Sequence, residues 1–237
     1  WLGESVYNPF DVLLLFQKRD FRPYWFETGT PTFLLDWIKA HHVWLPELAA
    51  LRVSGDLLQA FDVDMMLTES LMFQTGYLTI AKREYQFGEY LYQLRYPNRE
   101  VYQSFHNSVL YVLQPDAGQS SRTKHQLGQL LLKNDFAGME ALFHSLFSSI
   151  PYDWQRNNAI AQYEGYYASV FYSYFAALGL DIRLEDITNK GRIDMAVLFN
   201  QQVYLFEFKV VEATPQGKAL QQLQDRGYTE KYRSRGE

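Results

Sequence analysis

Hydrophobic positions recur at helical spacing over most of this chain and switch to the two-residue spacing of strands in two places, near residues 76–94 and 182–210. Thr30-Pro31 stands before an apolar-periodic run to His41, supplying an N-cap and a proline at the first helical position, so a helix is predicted there. Shorter helices are predicted near residues 46–51 and 69–74, and residues 76–80 and 90–94 alternate like the arms of a hairpin. After Pro97-Asn98 comes a helix over about 99–113. Residues 114–124, QPDAGQSSRTK, form the clearest polar stretch and read as a mobile connecting loop. Helices follow near 126–132 and 136–147, the second capped by Asn134 or Asp135, and Ile150-Pro151-Tyr152-Asp153 breaks the pattern. A long helix over about 158–178 ends at Gly179, a favoured residue beyond a helix C-terminus. Strands at 182–187, 192–199 and 203–210, then a helix over about 215–231, complete the chain.

This order divides the sequence. Residues 1–105 read as a mainly helical module ending in a hairpin, a pattern that fits either a small winged-helix-like unit or the lid of an ATPase. Residues 106–237 read as an α/β domain, with α+β character for the chain as a whole. No internal repeat or low-complexity tract interrupts either part.

The strand pair within residues 191–209, GRIDMAVLFNQQVYLFEFK, carries the chemistry. Asn200-Gln201 is a two-residue turn, and such a turn fixes register: Phe199 faces Gln202, and counting outward Asp194 faces Glu207. Side chains alternate along a strand, so Asp194, Ala196 and Leu198 share a face with Val203, Leu205, Glu207 and Lys209. Ile193, Met195, Val197, Phe199, Tyr204, Phe206 and Phe208 take the other face. Both faces are largely apolar, as in a sheet covered on both sides. One end of one face nevertheless carries two carboxylates at a cross-strand spacing of roughly 5 Å, with an ammonium beside them. Like charges so placed repel, and burying them is costly unless a cation joins them. The pattern predicts a metal site.

Composition narrows the classes. The chain has 237 residues, 47% hydrophobic and 17% aromatic, which describes a packed globular protein. No apolar run approaches the ~18 residues of a membrane span, and no cleavable signal opens the chain. The absence of cysteine excludes disulfides and thiolate-ligated metals, and cytoplasmic location is expected. A net charge of −5 is unlike the basic footprint of a sequence-independent nucleic-acid binder, although the tail offers Lys218, Arg226, Lys231, Arg233 and Arg235 against Glu212, Asp225, Glu230 and Glu237. There is no G-x-x-x-x-G-K-[ST] phosphate cradle and no G-x-S-x-G elbow.

An Asp on one strand followed by Glu-x-Lys on the next resembles the PD-(D/E)XK nuclease superfamily. Asp194 matches its Asp and Glu207-Phe208-Lys209 its (D/E)-x-K, while Ile193 stands where the name of the motif has proline. Residues 163–231 resemble the nuclease-like C-terminal domain of bacterial proteins with an AAA-ATPase-like region in front. YEGYYASVFYSYFAALGLDIRLE, GRIDMAV, YLFEFK and ALQQLQDRGYTEKY follow one another in that family's order. The N-terminal half, with YNPFDVL, YWFETGTP, FQTGYLTI and YPNREV, is similar to the end of the ATPase-like region and its connector. The resemblance implies a restriction-endonuclease-like core, a mixed sheet flanked by helices. It implies Mg²⁺ or Mn²⁺ held by Asp194, Glu207, the main-chain carbonyl of Phe208 and Glu164, with Lys209 and Gln222 assisting. It further implies a nucleic-acid substrate, DNA by analogy, and an ATPase-like domain of the same full-length protein as partner. On this reading the chain, which starts at Trp1, is a fragment without its ATP-binding core.

Each residue also has a plainer reading. Glu164 lies on a helical stripe with Ile160, Tyr167, Phe171 and Phe175, where it serves equally as a rim carboxylate with a packed stem. Lys209 could merely neutralise the acidic pair, and Gln222, like Gln224 and Tyr228, suits a polar helix face. The five histidines show no ligand spacing and read as surface or core residues; Asp62 and Asp64 lack a partner hairpin. The aromatic cluster from Tyr163 to Tyr174 reads as core and interface rather than as a base-stacking platform. Three functions follow: a metal-dependent nuclease, a silent nuclease-like nucleic-acid-binding fold, or a module coupling an ATPase to a partner. Metal-dependent cleavage belongs only to the first.

Overall fold

A computed structural model describes residues 6–27, 32–41, 43, 45–49, 51–58, 67–113, 117–149, 160–188 and 191–208. The chain divides into two compact units, Trp1–Pro115 and Asp116–Glu237. The fold is α+β, helices with two small antiparallel sheets, consistent with a nuclease-like core. Among the described residues no helix is long and apolar enough to cross a membrane.

The first unit opens with a helix absent from the pattern reading, α1 (Pro9–Lys18). Its start is well signalled: Asn8 is the N-cap, its side chain accepting from Phe10 N–H at 3.0 Å, and Pro9 sits at the first turn. Helices α2 (Tyr24–Glu27) and α3 (Thr32–Ala40) and a 3-10 turn (Leu45–Ala49) follow. Then come β1 (Arg52–Ser54), α4 (Gly55–Leu58) and α5 (Thr68–Gln74). The hairpin is longer than its alternation indicated, β2 (Thr79–Gln86) and β3 (Glu89–Arg95), and β1 pairs with β3 to give the order β1-β3-β2. Helix α6 (Arg99–Leu113) closes the unit, its Val101, Phe105, Val109 and Leu110 buried and Phe105 5.6 Å from the Tyr77 ring. That burial carries all of α6 into the first unit, so a boundary at residue 105 would cut through a packed helix.

In the second unit, α7 (Ala117–Lys133) overturns the polar loop expected at 114–124. Ser120, Thr123, Leu127 and Leu131 are all buried at spacings of three and four, one continuous helical stripe whose first members happen to be hydroxyls. Those hydroxyls hydrogen-bond to the phenol of Tyr174, which lets polar residues occupy core positions. Helix α8 (Phe136–Ser148) is capped by Asp135, which accepts from Gly138 N–H at 2.8 Å; Asn134, at φ 52°, forms the turn before it. Helix α9 (Ile160–Ala177) ends where Gly179 adopts φ 71°. The sheet is β4 (Asp181–Thr188), β5 (Gly191–Phe199) and β6 (Gln202–Phe206), antiparallel throughout, in the order β4-β5-β6.

Candidate active site

The β5–β6 hairpin closes through Asn200 and Gln201, both at positive φ (50° and 66°), as a two-residue turn demands. The ladder pairs Phe199 with Gln202, Val197 with Tyr204 and Met195 with Phe206. Continued one residue past the end of β6, that register would set Asp194 against Glu207. Met195, Val197 and Tyr204 are buried. Helix α9 covers their face: Phe206 lies 5.0 Å from the Phe171 ring and 5.2 Å from that of Phe175, and Phe208 lies 5.2 Å from Phe171. The Tyr204 hydroxyl donates to the Leu131 carbonyl at 3.1 Å, tying β6 to the end of α7.

Asp194 and Glu207 belong to the opposite face of the hairpin. Both are half-buried, and Glu207 Oε2 is closed off from solvent. Asp194 Oδ2 accepts the main-chain N–H of Phe208 at 2.8 Å, which draws the residue after Glu207 against the Asp carboxylate and leaves Oδ1 as the donor toward any cation. The structure therefore brings the Asp194 carboxylate to the Phe208 main chain, directly after Glu207. Glu164 sits in the first turns of α9, on the stripe whose later members Phe171 and Phe175 touch the Phe206 and Phe208 rings; its side chain lies outside the described residues. Lys209 and Gln222 lie outside them too, as do the helix expected at 215–231, the basic tail, Asp62 and Asp64.

Among the described residues no set of three or more His, Asp or Glu side chains gathers as a metal cage. The donor chemistry of Asp194 and Glu207 still suits a hard cation, because both offer carboxylate oxygen and Mg²⁺ takes few carboxylates while keeping several waters. Strand pairing also reveals a residue the sequence reading passed over. The pairs Leu184–Met195 and Asp186–Ile193 bracket Glu185 opposite Asp194, so the register sets these two acidic residues side by side on β4 and β5. The signal was present: Thr188 pairs with Gly191, so a two-residue connection fixes this register as well. His106 is fully buried against Tyr96, Tyr102 and Phe105.

Over its whole length the chain is 60% identical to a protein of Azotobacter chroococcum mcd 1 described as an uncharacterized protein in the vnfD 5′ region. The match covers 100% of this chain and 46% of that protein, so the chain spans less than half the length of the curated relative it matches. No solved structure matches. The segment that holds Asp194 and Glu207, residues 162–237, matches the family model of the PD-(D/E)XK nuclease superfamily.

Proposed function

We propose that the second unit is a metal-dependent nuclease that hydrolyses phosphodiester bonds, DNA being the favoured substrate, in a bacterial cytoplasmic protein whose remainder includes an ATPase-like domain. The observation that supports this reading is the hydrogen bond from the Phe208 N–H to the Asp194 carboxylate, directly after Glu207 at one end of the β5–β6 hairpin and inside the matched segment. Asp194, Glu207 and the Phe208 carbonyl would hold Mg²⁺ or Mn²⁺, with Glu164 as a further acidic ligand. When bound, the cation supplies positive charge to the phosphate oxygens and acidifies water at the site.

The chain's own groups have distinct tasks. The Phe208 N–H fixes the Asp194 carboxylate before any ligand arrives, so its free oxygen needs little reorganisation. Glu207 orients water toward phosphorus. The Lys209 ammonium offsets the charge that grows on the phosphate oxygens as water adds, and Gln222 holds a phosphate oxygen. The water gives up a proton to solvent as it adds, the P–O bond opposite it breaks, and the departing oxygen takes up a proton from solvent.

Incubation with plasmid, single-stranded DNA and RNA in Mg²⁺, Mn²⁺ or EDTA tests the reading. Cleavage that needs the metal and disappears in Asp194→Ala and Lys209→Ala is expected. Activity equal in parent and variants would remove the mechanism, and no cleavage in any metal would remove the enzyme.

A further inference from the structure

The tip of the β2–β3 hairpin is built at a cost that folding does not explain. Gln86 pairs with Glu89, so Phe87 and Gly88 form a two-residue turn, with φ of 51° and 91°. Turns with positive φ at both central residues favour Asn-Gly, because Asn tolerates the left-handed region and a bulky side chain does not. Phe87 occupies that position here, and its ring is wholly exposed, at 101%. A strained backbone and a ring left in water both work against the native state. An outlier kept against two such costs points to a function of the ring itself.

The ring has company. Tyr85 pairs with Tyr90 directly below the turn, their ring centroids 5.0 Å apart, and both are exposed. Arg83, two residues earlier and so on the same face of β2, lies over the Tyr90 ring at 4.8 Å. Lys82 instead pairs with Glu84 on the other face. The three strands of this sheet carry Arg52, Lys82, Arg83 and Arg95 against Glu84 and Glu89, a basic excess in a chain of net charge −5. Exposed aromatic rings beside an arginine, on a locally basic hairpin, have the composition of a surface on which unpaired bases stack while a cation meets the phosphates.

We propose that Phe87, Tyr85 and Tyr90 form a stacking platform for single-stranded nucleic acid, with Arg83 contacting its backbone. The choice of partner rests on the nuclease reading above. The platform belongs to the first unit and would grip the strand independently of Asp194 and Glu207.

The turn itself supplies a clean test. Phe87→Asn installs the favoured Asn-Gly turn, so the variant should melt no lower than the parent while losing the ring. Fluorescence anisotropy of the 237-residue chain with a labelled oligothymidylate in EDTA, where cleavage is suppressed, reads binding alone. Phe87→Asn and Tyr90→Ser should each weaken binding about tenfold. Arg83→Gln should reduce the slope of log affinity against log salt by about 0.7, one phosphate contact on a single strand. A blunt duplex, whose base faces are covered, should bind Phe87→Asn and parent alike. Unchanged oligothymidylate affinity in the two aromatic variants overturns the platform and leaves the tip to a protein contact; equal losses on single strand and duplex overturn stacking. Cleavage, scored separately in Mg²⁺, distinguishes the two proposals. Tip-dependent binding without metal-dependent cleavage sinks the nuclease reading alone, and cleavage with tip-independent binding sinks only the platform.

Discussion

Because Asp194 Oδ2 accepts the Phe208 N–H, the carboxylate holds the chain beyond β6 as well as offering a ligand oxygen, and substitutions can separate the two roles. Asp194→Asn keeps a carbonyl oxygen for that N–H and removes the charge. It should leave urea stability close to the parent's while abolishing Mn²⁺ binding in a calorimetric titration. Asp194→Ala strands the N–H and should cost about 1 kcal/mol, partly offset by relief of repulsion with Glu207. Undiminished Mn²⁺ binding in Asp194→Asn would exclude Asp194 as a ligand. His106 has a different kind of signature. Burial pushes its pKa down from 6.5 to about 3, so the folded protein disfavours the charged ring. The stability this provides is fully present above about pH 6.5 and is lost as pH falls toward 3, at up to about 1.4 kcal/mol per pH unit. Urea unfolding at pH 5 should therefore show about 2 kcal/mol less stability than at pH 7 from this residue. Asp11 and Glu100, both raised by burial, act in the opposite sense, so the comparison is with His106→Asn, in which the loss between pH 7 and 5 should be smaller by about 2 kcal/mol. The same loss in parent and variant assigns it to other groups.

Helix α7 shows where an element can hide from its own pattern. Ser120 and Thr123 look like loop residues, and only the phenol of Tyr174, far along the chain on α9, turns them into core positions. Burial in turn pushes that phenol up to about 12. Tyr174→Phe should destabilise the protein by about 1–3 kcal/mol, since it leaves two buried hydroxyls to find other acceptors. A urea midpoint unchanged in this variant would mean that α7 holds without the cluster. The β5–β6 hairpin is the opposite case: turn, register and faces were legible because a two-residue connection leaves the ladder no freedom and Asp194 and Glu207 interrupt an otherwise apolar pair of strands. The same logic applied to Thr188 and Gly191 gives the position of Glu185, which was missed because the first strand was read alone. Helix α1 was missed although Asn8 and Pro9 announce it, because its apolar residues run all round rather than along one stripe, and periodicity is then silent.

Two compact units with the division at Pro115 and Asp116 give the molecule a testable organisation, and the α7 finding changes where a protease should act. Had residues 114–124 been a loop, Arg122 and Lys124 would be favoured tryptic sites. They lie instead inside α7, with Lys124 buried enough to lower its pKa, and a helix must open before it fits a protease. Brief trypsin digestion should therefore spare both, whereas a broad-specificity protease should separate the units close to residue 115. Early tryptic cleavage at Arg122 or Lys124, read by mass spectrometry, would mean that the first turns of α7 are not helical in solution. The separated pieces carry the functional argument further. With the stacking hairpin in the first unit and Asp194 and Glu207 in the second, residues 116–237 alone should retain metal-dependent cleavage at a similar kcat. They should show a KM for single-stranded substrate raised about tenfold, the worth of one stacked base. A lost kcat with KM unchanged would reverse that assignment, making the first unit necessary for the chemistry rather than for holding the strand.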